Sequence, residues 1–475
     1  MFWAAANPES VKKRKAKWAG VAIIGAARRR PTIYIDVAMN EERLRTPAAP
    51  GRIRRRIQVA GIVQGVGFRP FVFREATRLG LAGWVRNNAG MVVIEVEGCA
   101  ALLDEFERSI REHPPPHARI ESVVATTIAV IGDASFRIVE SAGGTAPRPV
   151  LPPDLATCDA CVAEVFDAGA RRHVYPFTNC TDCGPRYAIV ESLPYDREST
   201  SMKSFAMCAD CEREYEDAGD RRFHAEPIAC PGCGPKVSLL DAHGRIIAEG
   251  DDAITEAARN LREGAIVAMK GLGGFQILVD ATNNQAALLL RSRKRRPSKP
   301  FAVMVQNLAV AAQLCQVSTE ERTALSSPAA PILLLRRHHA TANAVADAVA
   351  PDNPTLGLML PATPLHHLLL ARVARPVVCT SGNLAEEPMC IETDDAKDRL
   401  RGIADFFLTH DRPIVRPIDD SVGRVDSSRG LTLLRRARGF APAPIRLGEA
   451  GPNILALSGH QKATIALAIG RDAVL

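Results

Sequence analysis

Eight cysteines constrain this chain more than any other feature. Cys158, Cys161, Cys180, Cys183, Cys208, Cys211, Cys230 and Cys233 spell C-x2-C-x18-C-x2-C twice, with 24 residues between the copies. A shift of 50 residues lays the first block on the second, and 12 of the 28 positions in 158–185 and 208–235 are then identical. The matches include Glu164 with Glu214, Arg171 with Arg221 and Arg172 with Arg222. The segment is an internal duplication. Each block holds four thiols, enough to close one tetrahedral metal site with no open position, which is the pattern of structural zinc. Four thiolates also suit an iron–sulfur cluster, and His173 and His224 lie near the third cysteine of each block as alternative ligands. The reading taken is two structural zinc ions, with the histidines at the surface or facing an active site. Disulfide frameworks belong mostly to small secreted chains.

A length of 475 residues corresponds to about three domains. Charged residues make up 24% and the apolar set 47%, an ordinary globular composition rather than a disordered or fibrous one. No apolar run approaches the length of a membrane span. The net charge of +7 is too dilute to imply a nucleic-acid partner. Residues 1–52 are read as a basic extension and linker. VKKRKAK and WAGVAIIGAA faintly imitate a signal peptide, but Arg28, Arg29 and Arg30 follow at once, which fits secretion badly. The expected location is the cytoplasm.

Residues 53–141 read as β-α-β-β-α-β, the order of a small ferredoxin-like sandwich. IRRRIQVAGIV, GWVRNNAGMVVIEVEG and ARIESVVATTIAV supply strands, and RPFVFREATRLGL and ALLDEFERSIREH supply helices. Between the first strand and helix lies GIVQGVGFR, Gly61–Arg69. Its glycines let backbone N–H groups of Gln64, Gly65, Val66, Gly67 and Phe68 turn inward as an anion nest at a helix N-terminus. Arg69 is placed to grip a phosphate. This segment resembles the acylphosphatases, with their V-Q-G-V-x-F-R loop and an Asn on the next strand, here Asn87 in GWVRN. The resemblance implies that Arg69 binds the oxygens of an acyl phosphate and Asn87 orients the attacking water.

Residues 245–447 read as an α/β domain. The chain has 11 lysines, four of them within its first 17 residues, so a Lys elsewhere merits attention. Lys270 stands beside a glycine turn in KGLGG, and Lys294, Arg296 and Lys299 lie in the basic loop Arg291–Lys299. The bland reading of that loop is a solvated turn; the functional one is a triphosphate clamp. Thr380, Ser381 and Asn383 form the hydroxyl-and-amide turn TSGN after the apolar PVVC. Together these resemble the threonylcarbamoyl-adenylate synthase (YrdC-like) superfamily, itself an RNA-binding type of fold. That resemblance carries ATP and carbamoyl contacts onto Lys294, Arg296, Lys299, Ser381 and Asn383, and more loosely onto Ser421 in DDSV and Arg438 in RRARG.

The order of parts resembles the [NiFe]-hydrogenase maturation carbamoyltransferases, the HypF family, from about residue 53 onward. The fold class expected is therefore multidomain α+β and α/β: an acylphosphatase module, a tandem zinc module over 151–240 and a YrdC-like module over 245–447. LMLPATPLHHLLL, RRARGFAP and LALSGHQKATIALA look like stretches of that family, although PATPLHH has Ala362 where a commoner pattern has Tyr. The resemblance implies hydrolysis of carbamoyl phosphate, activation with ATP and Mg²⁺ to carbamoyl adenylate, and transfer to the C-terminal cysteine of a protein acceptor, HypE. It also implies a further, actin-like transferase domain. Residues 451–475 are read as its opening strands only, so final transfer is not expected of this chain. Two rivals are a zinc-ribbon nucleic-acid-binding protein, which asks for a basic, aromatic-bearing surface on the knuckles, and a threonylcarbamoyl-adenylate synthase for tRNA, which has no use for an acylphosphatase module.

Overall fold

Alternation in RIRRRIQVAGI builds the first strand, β1 (Arg52–Ile62), which sends Ile57 and Val59 into a core. The computed structural model describes residues 51–88, 90–141, 151–338, 344–384, 387–426, 428–457 and 465–474. The extension expected over 1–50, most of the linker after residue 141 and the GHQK turn lie outside these residues. After β1 come α1 (Phe68–Arg78), β2 (Ala82–Asn88), β3 (Met91–Cys99), α2 (Ala100–Glu112), β4 (Arg119–Ile128) and a short β5 (Phe136–Ile138). The sheet order is β4-β1-β3-β2-β5. The four long strands are antiparallel, with Ile57 opposite Ile94, and β5 adds a parallel edge beside β2. Val72 and Phe106 from the two helices close the core over Val85 and Ile94.

One element of this sheet is unexpected from an apolar–polar reading. Arg54 is 1% exposed. It bonds Glu95 at 2.7 Å, Glu97 at 2.5 Å and Asp133 at 2.6 Å. Burial alone would raise the two glutamates, but Arg54, joined by Arg56 at Glu95 and by the Ile131 and Gly132 N–H groups at Glu97, holds both below the usual range. Carboxylates lowered by folding stabilise above the unfolded value of about 4.3, and that stabilisation is lost as pH falls below it. Arg54→Ala strands buried charge and is expected to cost about 3–5 kcal/mol. Denaturant midpoints at pH 7 and pH 4 check this: the wild type should weaken towards pH 4, and the variant should be weak already at pH 7.

In the cysteine segment each block starts a short helix directly after its first cysteine, α3 (Asp159–Phe166) after Cys158 and α4 (Ala209–Glu216) after Cys208. The duplicated residues exchange partners across the two copies. Arg171 and Arg172 of the first block bond Glu214 of the second, each at 2.6 Å. Arg221 and Arg222 of the second bond Glu164 of the first. The two blocks are therefore one body related by approximate two-fold exchange.

The rest of the chain forms one mixed sheet of eleven strands: β6 (Val237–Asp241), β7 (Ile246–Glu249), β8 (Val267–Lys270), β9 (Phe275–Asp280), β10 (Ala302–Met304), β11 (Ile332–Arg336), β12 (Thr355–Met359), β13 (Val377–Ser381), β14 (Phe406–His410), β15 (Val422–Asp426) and β16 (Gly430–Arg435). Its order is β16-β15-β11-β12-β10-β13-β9-β8-β14-β6-β7. The sheet thus starts at Val237, ahead of the boundary expected at 245, because β6 pairs with β14. Helices cover both faces. On one, α5 (Gly250–Arg262) and α7 (Pro364–Val373) bury Ala257, Leu261, Leu365 and Leu369. On the other, α6 (Asn284–Arg293) buries Ala287 and Leu290. Val165, Tyr175, Phe177 and Met202 of the cysteine segment join the first of these cores. Residues 45–475 accordingly form one unit rather than modules on strings. The last two strands, β17 (Ile445–Leu457) and β18 (Ile465–Val474), pair only with each other and expose Ile454, Leu455, Leu457 and Ile465. Among the described residues no helix is long and apolar enough to cross a membrane.

Candidate functional site

The glycine-rich loop after β1 needs φ values that L side chains avoid. Gly65 has φ +67° and Gly67 +72°, and Gly67 caps α1 in the left-handed region. This geometry turns the N–H groups of Gly65, Val66 and Gly67 inward, and they find no acceptor among the described residues. Arg69 sits in the first turn of α1 and is 9% exposed; Asn87 on β2 is fully buried. With its amide oxygen turned to the guanidinium, Asn87 accepts from Arg69 Nε at 3.2 Å and Nη2 at 3.3 Å. The two residues singled out eighteen positions apart therefore meet beside the glycine loop.

The loop is also held from the cysteine segment. Arg186 is buried. Its Nε donates to Gly65 O at 2.6 Å, its Nη1 to Cys183 O at 2.9 Å and its Nη2 to Thr181 O at 2.8 Å. Arg69 bonds Asp196 at 3.0 Å and Glu226 at 2.9 Å. The cavity they leave is about 20 Å³, room for one water. Sequence reasoning missed Asp196, Arg186 and Glu226: Arg186 and Asp196 lie between the duplicated blocks, Glu226 within the second, and none carries a local signal.

Each block gathers its own four cysteines. In the first, Cys158–Cys180, Cys180–Cys183 and Cys161–Cys183 have Sγ–Sγ distances of 3.7, 3.9 and 3.5 Å. In the second, Cys208–Cys230, Cys230–Cys233 and Cys211–Cys233 have 3.7, 3.7 and 3.6 Å. A tetrahedron with metal–sulfur bonds of about 2.3 Å has edges of roughly 3.8 Å, so both sets fit a zinc ion. Arg221 Nη1 donates to Cys161 Sγ at 2.8 Å and Arg172 Nη2 to Cys211 Sγ at 3.5 Å, so cations of each block face the other block's thiol set. His173 is exposed and His224 lines the nest cavity, so neither replaces a ligand.

A second cavity of about 410 Å³ opens in the large sheet. Arg296, Lys299, Thr380, Ser381 and Arg438 line it, as expected from sequence. The glycine turn between β8 and β9 forms another wall; a side chain at Gly274 would strike Met389 within 2.5 Å. Gln276, His366 and Asp420 line the cavity too and were not singled out, although PLHH and DDSV, which contain His366 and Asp420, were noticed. They form a relay. Arg438 Nε donates to Asp420 at 2.9 Å, and Gln276 Nε2 donates to Asp420 at 3.0 Å. Ala362 N–H donates to His366 Nδ1 at 3.3 Å, leaving Nε2 to donate to Gln276 Oε1 at 2.9 Å. Burial pushes His366 down to about 3, so the ring stays neutral with its proton on Nε2.

Four of the expected nucleotide contacts stand elsewhere. Lys270 is buried with its Nζ donating to His410 O at 3.1 Å, because β8 directs it towards β14 and not into the cavity. Lys294 lies behind the TSGN turn and donates to Ser381 O and Asn383 O, both at 2.6 Å. Asn383 Oδ1 accepts from Ser381 Oγ at 2.6 Å within that turn. Ser421 Oγ donates to Arg438 O at 2.9 Å. All but Lys270 shape the cavity wall without lining it. The basic loop keeps Arg295, Pro297, Ser298 and Lys299 exposed but is tied down: Arg291 Nη1 holds the Arg296, Pro297 and Lys299 carbonyls, and Arg293 bonds Asp405. Lys294→Met should destabilise the chain by about 2 kcal/mol or more, since it strips buried charge-assisted bonds, whereas Lys299→Ala should leave the denaturation midpoint near wild type.

Family models match for Acylphosphatase over residues 55–138, for the HypF finger over 157–190 and 207–240, and for Telomere recombination (Sua5, YciO, YrdC) over 259–437. Carbamoyltransferase HypF of Synechocystis sp. is 50% identical over 414 residues, covering 87% of this chain and 53% of the relative. Carbamoyltransferase HypF2 of Cupriavidus necator is 48% identical over 447 residues, covering 90% and 55%. A crystal structure of full-length HypF in a phosphate- and nucleotide-bound form superposes with a TM-score of 0.84 at 43% identity, over 90% of this chain and 56% of that one. HypF of T. kodakarensis gives 0.82 at 38%, over 89% and 54%. The chain thus spans about half the length of the relatives it matches. With its nest, paired four-cysteine sites and sheet cavity in the same order, the chain belongs to the HypF carbamoyltransferase family.

Proposed function

We propose that this chain makes carbamoyl adenylate from carbamoyl phosphate and ATP in two steps at two sites. At the nest, the open N–H groups and Arg69 hold the phosphoryl group and Asn87 orients a water. The water oxygen attacks phosphorus, the P–O bond to the carbamoyl group breaks, and carbamate and phosphate leave. No covalent nucleophile is needed, because carbamate is a good leaving group from phosphorus and positioning supplies most of the rate. At the sheet cavity a carbamate oxygen attacks the α-phosphorus of ATP, giving carbamoyl adenylate and pyrophosphate. Arg296 and Lys299 take the triphosphate, and Thr380 and Ser381 the adenylate region. Mg²⁺ would arrive with ATP, and Asp419 on the cavity wall offers it a carboxylate. Zinc in the two four-cysteine sets would serve only to fix the fold.

The observation that carries this reading is the buried Arg69–Asn87 pair beside unsatisfied nest amides, a site built for an oxyanion. The phosphate- and nucleotide-bound state of the similar full-length structure supports it. The adenylate would serve to carbamoylate the C-terminal cysteine thiol of an acceptor protein, HypE, in hydrogenase maturation. ATP–pyrophosphate exchange tests the reading. Exchange is expected with carbamoyl phosphate and not with threonine plus bicarbonate; exchange with the latter alone would make the chain a threonylcarbamoyl-adenylate synthase.

A further inference from the structure

Glu226, His224 and Tyr195 of the cysteine segment line the cavity beside the nest. Glu226 is 1% exposed, and three donors fix its carboxyl. Oε1 accepts from Arg69 Nη2 at 2.9 Å. Oε2 accepts from the Tyr215 hydroxyl at 2.9 Å and from Arg197 N–H at 3.0 Å. Glu226 is within 2.9 Å of Arg69, so a phosphoryl group seated on the nest amides and Arg69 brings its acyl substituent within reach of this carboxyl. A buried carboxyl beside that substituent needs partners in it. A carbamoyl group offers a carbonyl and an N–H; an acetyl group offers a carbonyl and a methyl.

We propose that Glu226 selects a carbamoyl over an alkyl acyl group at this site, its Oε1 accepting the carbamoyl N–H. The inference rests on the acyl-phosphate reading of the nest given above. Burial, with Asp196, pushes Glu226 up to about 7 against Arg69, Tyr215 and the Arg197 N–H. Oε2 is filled by its two donors, whereas Oε1 carries only the Arg69 bond and keeps a lone pair for an N–H. A site built to bond an N–H discriminates strongly against an analogue lacking it, because its own polar atom is left unpaired.

The test uses the full chain. Phosphate release from carbamoyl phosphate and from acetyl phosphate gives a ratio of kcat/KM values for wild type, Glu226→Met and Glu226→Gln. The wild-type ratio should favour carbamoyl phosphate by about 100-fold or more, and Glu226→Met should bring it to within about 10-fold. Glu226→Gln keeps one donor and one acceptor and should hold most of the ratio whatever happens to the rates. Zinc content and inhibition by inorganic phosphate check that the nest is intact. Should Glu226→Met lose the nest, Tyr215→Phe removes only the hydroxyl on Oε2 and should lower the ratio partway. An unchanged ratio in Glu226→Met, or in Tyr215→Phe where it stands in for that variant, overturns the proposal. So does a Gln variant as unselective as Met, which would make Glu226 a mere counter-ion for Arg69. A wild-type chain that hydrolyses both phosphates equally overturns the selection alone. One that hydrolyses neither overturns the acyl-phosphate reading itself.

Discussion

Arg69→Ala is expected to lower carbamoyl-phosphate hydrolysis by about 10³-fold, the scale of removing a principal charge-stabilising donor from a buried site. The loss should fall on kcat/KM, since the guanidinium contacts the phosphoryl group both before and during attack. The fold should survive. Glu226 loses its cation but keeps the Tyr215 hydroxyl and the Arg197 N–H, and a carboxyl already pushed up to about 7 can take a proton in compensation. Phosphate release by a colorimetric assay, with circular dichroism and zinc content as folding controls, checks this. Wild-type turnover in the variant would remove Arg69 from the mechanism.

The second large effect is expected at the metal sites. Protein purified without chelator should hold close to two zinc ions per chain and no iron. Cys158→Ser opens one site, and closed thiolate sites contribute folding energy directly. The damage should spread beyond that site. Arg171 and Arg172 of the same block bond Glu214 of the other, and Arg186 ties the first block to the nest. Tyr175, Phe177 and Met202 also fill the core under the large sheet. Both phosphate release and nucleotide exchange should therefore fall together in Cys158→Ser, with zinc dropping below two. A stable, fully active variant would contradict the structural role.

Much of this was legible in the chain because the determinants are local or periodic. The β-α-β-β-α-β order follows from alternation and amphipathic spacing, and the four-cysteine sets from a 50-residue repeat. The nest reads from glycines that must take positive φ. The contacts that sequence misplaced are those decided by long-range packing. Lys270 and Lys294 were singled out as rare lysines near candidate ligand turns, but strand pleat and turn geometry send one to His410 and the other behind Ser381. Asp420 adjoins Ser421, yet Ser421 does not line the cavity, since its hydroxyl is engaged by the Arg438 carbonyl and the Ala437 N–H. Glu226, 157 positions from Arg69, carries no local signal at all. Arg54 carries no local signal either, and it is the centre of a buried charge cluster.

The central claim is that the nest feeds carbamate to the sheet cavity. Supplying carbamate directly tests it. Arg69→Ala chain is given ATP, Mg²⁺ and labelled pyrophosphate, with either carbamoyl phosphate or a high concentration of ammonium carbamate. The expected result is exchange with ammonium carbamate and none with carbamoyl phosphate, while Lys299→Ala exchanges with neither yet still releases phosphate. Undiminished exchange from carbamoyl phosphate in Arg69→Ala would contradict the account, because the cavity would then be drawing its carbamoyl group without the nest.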